Sequence, residues 1–167
     1  AAVIVFEGSA TDDAGPLFDV MASLFVMGGG GWGGERGPSG SPGATAPDRE
    51  PDLVVERETR PEQAAIYRLS GDMNPMHIDP DFATMAGFPG PFTHGLSTFG
   101  IVGHSVLSAW CGGDVNRFGS ISGRFADQVW PGDTIVTRLW DLGDDAVVEA
   151  RTQRGNTVIS SGRATRR

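Results

Sequence analysis

A glycine- and proline-rich stretch at residues 28–47 divides the sequence into two parts of unequal length. It holds nine glycines and three prolines. Chain this rich in glycine loses too much backbone entropy on folding to join a packed core. We therefore expect residues 28–51 to form a linker between a short N-terminal segment and a longer C-terminal domain.

The N-terminal segment, residues 1–27, is predicted to form two strands joined by a turn. Residues 3–9 are apolar and β-branched, DDAG at 12–15 is a turn signal, and residues 17–27 are again rich in apolar side chains. A single hairpin is marginally stable in water, so it is expected to lie against another part of a protein. Because the chain opens directly in a strand, we expect further residues upstream.

The C-terminal part, residues 52–167, combines helices with a run of strands. A strand is predicted at 53–58, a short helix at 61–69 and another from Asp79-Pro80, since Asp is a good N-cap and Pro suits the first helical position. From Gly95 to about Trp110, apolar residues recur every three or four positions, which predicts a longer helix. Strands with turns roughly 8–12 residues apart then indicate an antiparallel meander. The pattern indicates an α+β fold, with the sheet wrapped around the long helix.

The charge composition excludes several classes of partner. Acidic residues number 21 against 13 basic ones, all of them arginine, for a net charge of −8. This balance argues against binding to nucleic acid and against a polybasic membrane patch. No apolar run reaches the roughly 18 residues of a membrane-spanning helix. The single cysteine, Cys111, excludes an internal disulfide and fits a reducing, cytoplasmic compartment.

The densest polar segment is residues 70–80, which read SGDMNPMHIDP. Gly71 and Asn74-Pro75 are turn formers, so Asp72 and His77 are expected to flank a bend. A carboxylate and an imidazole that hold one water molecule form a general acid–base pair. A simple Asx-turn explains the same segment, and the spacing alone favours that structural interpretation.

Residues 91–95, PFTHG, stand at the head of the long helix. The first N–H groups of a helix have no internal partner and carry the positive end of its dipole. Gly95 has no side chain to block approach, so its N–H is a candidate donor to a carbonyl oxygen that becomes negative during a reaction. The alternative is that His94 merely caps the helix.

Other candidates carry weaker signals. Arg124, on a predicted strand at 118–130, is a candidate for binding a phosphate or carboxylate, although such an arginine more often faces solvent. Met76 is a candidate for lining an acyl pocket, with core packing as the alternative. No set of His, Cys, Asp and Glu has the spacing of a zinc site, so no metal is expected. His104, inside the apolar helix, is expected to be buried.

The motifs together resemble the signature of MaoC-like dehydratases. More narrowly, they are similar to R-specific enoyl-CoA hydratases of the hydratase-2 type, including the hydratase part of peroxisomal multifunctional enzymes. Residues 67–80 read YRLSGDMNPMHIDP, 87–89 read GFP and 94–100 read HGLSTFG. RFA at 124–126 and PGDT at 131–134 also look like that family. The resemblance spans about residues 52–167.

That resemblance implies a hot-dog fold, a curved antiparallel sheet around one long central helix. In larger family members two such repeats share one chain, and the second carries the catalytic motif. Residues 1–27 would then be the last strands of a degenerate repeat, and residues 52–167 the catalytic repeat. Because hot-dog sheets usually pair edge to edge, a homodimer or paired repeats are expected.

The resemblance also implies a mechanism without a cofactor. Asp72 and His77 would hold a water that adds to a trans-2-enoyl-CoA, giving a (3R)-3-hydroxyacyl-CoA, while the Gly95 N–H would stabilise the enolate oxygen. The supporting and substrate-contacting candidates are Asn74, His94, Arg124, Phe92 and Met76.

One departure from the family concerns the carrier end of the substrate. Members often have a basic residue followed by proline where this chain has Asp127-Gln128, which leaves Arg124 as the main candidate for the CoA phosphates. Two alternatives stay open: a hot-dog acyl-CoA thioesterase, and a non-catalytic or heteromeric acyl-CoA-binding subunit that needs a second chain to build the tunnel.

Overall fold

The computed structural model describes residues 1–34 and 43–167. The chain divides into two units, Ala1–Gly40 and Ser41–Arg167, each with its own secondary structure. The middle of the predicted linker, residues 35–42, lies outside the described residues. No helix in the described ranges is long and apolar enough to cross a membrane.

The N-terminal unit is a β-hairpin. Its strands, β1 (Ala2–Asp12) and β2 (Gly15–Val26), pair antiparallel, which confirms the two predicted strands. In the turn, the Asp12 carboxylate accepts the N–H groups of Ala14 at 2.8 Å and Gly15 at 3.1 Å. Gly15 has a φ of +127°, a conformation that glycine adopts without steric cost.

The C-terminal unit is an antiparallel sheet with one long helix. The elements are β3 (Leu53–Glu58), α1 (Gln63–Tyr67), α2 (Pro80–Met85), α3 (Gly95–Ala109), β4 (Phe118–Phe125), β5 (Thr134–Asp141), β6 (Asp145–Thr152) and β7 (Thr157–Arg166). The strands follow the spatial order β3-β5-β6-β7-β4, and every neighbouring pair is antiparallel. The long helix is α3, which starts at the predicted residue.

The hydrophobic core lies between α3 and the sheet. Val102 and Val106, one helical turn apart on α3, are buried in the same cluster as Ile135 and Leu139 of β5. The two β5 residues are four apart, so both side chains leave the same face of the strand. Burying side chains of this size stabilises the fold by roughly 1.5–3 kcal/mol each. This shared core holds the start of α3 at a fixed place beside the sheet.

Two sequence expectations for this unit are wrong. The strand predicted at 118–130 ends at Phe125. The Ala126 N–H still donates to the Val158 carbonyl of β7, but farther along the chain the Val129 carbonyl accepts the Thr93 N–H at 2.8 Å, outside the sheet. His104 is exposed, since it lies on the side of α3 that does not carry the core residues Val102 and Val106.

Residues just before β3 are hydrogen-bonded to β5. The Trp140 indole N–H donates to the Arg49 carbonyl at 2.9 Å, and the Asp52 N–H donates to the Leu139 carbonyl at 2.9 Å. The Asp52 carboxylate in turn accepts the Asp141 N–H at 2.8 Å. The C-terminal end of the region predicted as linker is therefore attached to the second unit.

Candidate active site

The loop after α1 is fixed by local hydrogen bonds. Gly71 has a φ of +118°, a left-handed conformation that ends the 3-10 turn Arg68–Ser70. The Arg68 guanidinium donates to the Met73 carbonyl at 3.3 Å. The Asp72 carboxylate accepts the Asn74 N–H at 3.2 Å, so it forms an Asx-turn while remaining exposed. The Asx-turn interpretation and an accessible carboxylate are thus compatible.

The same loop turns His77 inward. Asn74 caps the 3-10 turn Pro75–His77, because its side-chain oxygen accepts the Met76 N–H at 3.2 Å. His77 is 7 % exposed, and its Nδ1 lies 2.8 Å from the Phe92 carbonyl oxygen. A carbonyl oxygen can only accept, so Nδ1 carries a hydrogen and donates a hydrogen bond to the Phe92 carbonyl. In neutral His77 the lone pair is therefore on Nε2.

His94 lies between the loop and α3. Its side chain is 1 % exposed, and its Nε2 donates to the Asp72 carbonyl at 3.2 Å. Its ring stacks on His77, with centroids 3.9 Å apart, and packs against Tyr67 at 4.8 Å. Burial, followed by the nearby His77, lowers the pKa of His94. These surroundings favour a neutral imidazole at His94.

Asp72, His77 and His94 converge. One carboxylate oxygen and one nitrogen of each ring all lie within 4.8 Å of one another. A carboxylate and an imidazole at this separation can share a water molecule, as general acid–base chemistry requires.

A cavity of about 230 Å³ opens beside the start of α3. Two segments form its wall, one leading into α3 and one following β4. A Cβ at Gly95 would lie 3.3 Å from the Phe125 ring, so that ring stands over the first residue of the helix. The lining residues are Phe92, Thr93, Gly95, Thr98, Phe125, Ala126, Asp127, Gln128 and Val129.

The cavity and the Asp72–His77 pair share one segment of chain. Phe92 lines the cavity, and its carbonyl oxygen accepts the His77 Nδ1–H. His94 touches His77 and directly precedes Gly95, whose N–H is at the positive end of α3. The carboxylate, the imidazole and the helix N-terminus are therefore positioned together.

The predicted residues fall into three groups. Asp72, His77 and His94 converge, with Asn74 as the turn cap, and Phe92 and Gly95 line the cavity. Met76 is half-buried and Arg124 is exposed on β4. In the part of the chain that the structure describes, neither lines this cavity. The catalytic and binding roles of all these residues stay predictions.

The cavity wall that follows β4 is held by a hydrogen-bond network that the sequence motifs do not reveal. Asp133 is 3 % exposed, and its carboxylate accepts the Trp130 N–H at 2.9 Å and contacts the Arg154 guanidinium. The Thr59 hydroxyl donates to the Asp133 carbonyl at 2.8 Å and accepts the Gly132 N–H at 3.0 Å. The only sequence signal for this network is the Pro-Gly-Asp turn at 131–133, which does not reveal its long-range partners.

Comparison with known proteins identifies the family. The family model described as MaoC like domain matches residues 43–162. The chain belongs to the MaoC-like family. This confirms the resemblance drawn from the sequence motifs.

Two curated relatives illustrate how the MaoC-like chain compares with longer proteins. It is 43 % identical over 150 residues to the probable enoyl-CoA hydratase 2 of Dictyostelium discoideum, which covers 88 % of the chain and 51 % of that protein. It is 47 % identical over 141 residues to the peroxisomal multifunctional enzyme type 2 of Mus musculus, covering 83 % of the chain and 19 % of that protein. The chain thus spans about half, or less, of the length of these relatives.

A solved structure supports the fold of the MaoC-like chain. The crystal structure of a MaoC-like dehydratase from Phytophthora capsici matches with a TM-score of 0.87 and 35 % identity, over 99 % of this chain and 58 % of that one. The predicted hot-dog arrangement, an antiparallel sheet around one long central helix, is confirmed.

Proposed function

We propose that this MaoC-like chain is the catalytic part of an R-specific enoyl-CoA hydratase. The reaction adds water reversibly to a trans-2-enoyl-CoA and gives a (3R)-3-hydroxyacyl-CoA. The observation that carries the proposal is the approach of the Asp72 carboxylate and the His77 imidazole to within 4.8 Å, beside the N-terminus of α3. Relatives named as enoyl-CoA hydratases support the same activity.

The proposed water activation follows from the hydrogen bonds of the pair. Because Nδ1 of His77 donates to Phe92, Nε2 has a free lone pair to accept a proton from water. Asp72 accepts a hydrogen bond from the same water and orients its oxygen. That oxygen bonds to the β-carbon of the enoyl group, the double bond becomes single, and the proton that Nε2 accepted passes to the α-carbon. Each atom of the water ends in the product.

The Gly95 N–H is the proposed donor to the thioester oxygen. As the β-carbon is attacked, negative charge develops on that oxygen to give an enolate. The N–H at the first turn of α3 has no partner within its own helix, and the helix dipole adds to its positive potential. Loss of one such donor commonly costs roughly 3–4 kcal/mol of transition-state stabilisation.

Five further residues have proposed supporting roles. Asn74 and His94 hold the loop that carries Asp72 and His77. Phe92, which lines the cavity, and Met76, which is half-buried in the same loop as His77, would contact the acyl group. Arg124, exposed on β4, would meet the CoA phosphates.

We also propose that residues 1–27 are the last strands of a preceding hot-dog repeat, that residues 28–51 link the two, and that residues 52–167 are the catalytic repeat. The outer strands β3 and β4 have one free edge each within the described sheet, which suits edge-to-edge pairing in a homodimer or with a second repeat. Size-exclusion chromatography with mass detection tests the pairing.

The proposed location is the cytoplasm, and imaging against a peroxisomal marker tests it.

The activity is tested with purified chain and crotonyl-CoA, by loss of the enoyl thioester and chiral analysis of the product. We expect (3R)-3-hydroxybutyryl-CoA with no free thiol. Predominant (3S) product contradicts the proposal. Release of free CoA identifies a thioesterase, and turnover that appears only with a second hot-dog subunit identifies the heteromeric alternative.

A further inference from the structure

We propose that the negative charge of Asp127 weakens the preference of this cavity for an anionic acyl carrier. Removing that charge would then favour the polyanionic CoA thioester relative to an uncharged thioester with the same acyl group. The inference rests on the proposed hydratase function, because the thioester must reach Gly95. It assigns Asp127 as a specificity-determining residue for the carrier.

Asp127 belongs to the same cavity as the proposed oxyanion donor. The segment that follows β4 forms one wall, and Gly95 is part of the opposite one. Among the described residues of this lining, Asp127 is the one with a formal charge. Arg124, the nearest basic residue in sequence, is outside the described lining.

The Asp127 carboxylate is held in place without being neutralised. One of its oxygens accepts the Gln128 N–H at 2.8 Å, and the other accepts the Asn156 side-chain amide at 2.9 Å. Both donors are uncharged. Within the described ranges no salt bridge involves Asp127, whereas Asp133 nearby in the chain is paired with Arg154. The carboxylate therefore keeps a negative charge on a residue that lines the cavity.

The position of Asp127 indicates which arm of the thioester passes it. Asp127, Phe125 and Ala126 are exposed, so they form the solvent side of the cavity. An apolar acyl chain would have to desolvate the carboxylate, which is unfavourable. The carrier arm is polar and ends in solvent, so it suits this side. When the carrier is CoA, the uncharged pantetheine part of the arm passes Asp127, and the phosphates at its far end carry charge of the same sign as the carboxylate.

The expected change in carrier preference is small because the Asp127 side chain is exposed to solvent. Interactions between exposed charges are worth little and are screened by salt, so removing the Asp127 charge should change the preference about two- to fivefold at low ionic strength. At high ionic strength the same change should largely disappear.

The experiment compares Asp127→Asn with wild type on crotonyl-CoA and on crotonyl-N-acetylcysteamine, an uncharged thioester. The measured quantity is the ratio of kcat/KM for the CoA substrate to kcat/KM for the uncharged one, at low and at high salt. Glu50→Gln is the matched control, since Glu50 is exposed and outside the cavity lining. We expect the ratio to rise about two- to fivefold for Asp127→Asn at low salt only, and to stay at the wild-type value for Glu50→Gln.

An unchanged or lower ratio overturns the inference, as does a rise that persists at high salt or an equal rise in the control. A loss of activity on both thioesters by the same factor would place the acyl group, not the carrier, against this wall, and it would also overturn the inference. Asn keeps an oxygen for the Gln128 N–H, and Asp127→Ser serves as a second variant if thermal unfolding shows that the first is misfolded. If the wild type hydrates neither thioester, the proposed function has failed. The inference is then decided separately by equilibrium binding of CoA, which should be tighter to Asp127→Asn than to wild type by the same factor.

Discussion

His77 and His94 each donate a hydrogen bond to the segment that carries the other. Their rings stack with centroids 3.9 Å apart. His77 donates to the Phe92 carbonyl in the segment that carries His94, and His94 donates to the Asp72 carbonyl in the loop that carries His77. This reciprocal pair ties the Asp72 carboxylate to the start of α3. The relative position of water and thioester oxygen in the proposed reaction depends on it.

The first prediction concerns the bond from His94 to Asp72. His94→Phe keeps an aromatic ring against His77 but leaves the Asp72 carbonyl without its donor. We expect a loss of about 1–3 kcal/mol in the free energy of unfolding, together with a fall in kcat larger than any change in KM. Denaturant unfolding and steady-state kinetics measure both. Wild-type stability and kinetics would show that the hydrogen bond does not position the loop.

The second prediction concerns pH. Burial and His77 lower the pKa of His94 in the folded state, so the unfolded state binds a proton at this histidine first as the pH falls. The free energy of unfolding should therefore decrease as the pH drops below about 6.5, the ordinary histidine value. His94→Phe should flatten that dependence. The exposed His104 offers the matched control, because His104→Gln should keep the wild-type slope.

The third prediction concerns the space above Gly95. In Gly95→Ala the N–H remains, but the new Cβ would stand 3.3 Å from the Phe125 ring. We expect hydration to fall, but by less than the roughly hundredfold that a 1 Å displacement of reacting groups can cost, because the Phe125 ring has to move by only a few tenths of an ångström. Phe125→Leu in the same chain should restore part of the rate. Failure of the double variant to recover would remove the contact with Phe125 as the cause.

The fourth prediction concerns two buried threonines. Thr59→Val removes the hydroxyl that bonds Asp133 and Gly132, which should cost about 1–3 kcal/mol in unfolding free energy. Thr137→Val is the matched control, since the Thr137 hydroxyl is buried and has no hydrogen-bond partner among the described residues. That change should be neutral or stabilising. Equal destabilisation by both variants would show that volume, not hydrogen bonding, decides the outcome.

The elements that the sequence predicted well depend on local signals. Apolar residues at helical spacing predicted α3 from Gly95, and Asp79 predicted α2, whose first N–H groups its side chain caps. Turns such as Pro131-Gly132 separated the strands of the meander. In each case the information lies within a few residues of the element itself.

The features that the sequence could not predict depend on contacts between distant residues. After β4, the Val129 carbonyl accepts the N–H of the distant Thr93 instead of pairing with a strand, and no local pattern indicates this bond. The exposure of His104 follows from which side of α3 faces the core. Spacing alone favours a structural Asx-turn at Asp72, and only the family resemblance supports the catalytic interpretation. The hydrogen bond from His94, 22 residues away in the sequence, cannot be read from the local pattern.

The central claim is that Asp72 and His77 activate water for addition to an enoyl thioester. Its most direct test is the rate of crotonyl-CoA hydration by Asp72→Asn and by His77→Gln, measured beside Asp81→Asn, an exposed control in the first turn of α2. We predict that each of the first two variants is at least about a hundredfold slower than wild type, while the control keeps its rate. Asp72→Asn, at an exposed position, should also keep the wild-type unfolding midpoint. A folded Asp72→Asn or His77→Gln enzyme that turns over at a near-wild-type rate would contradict the claim.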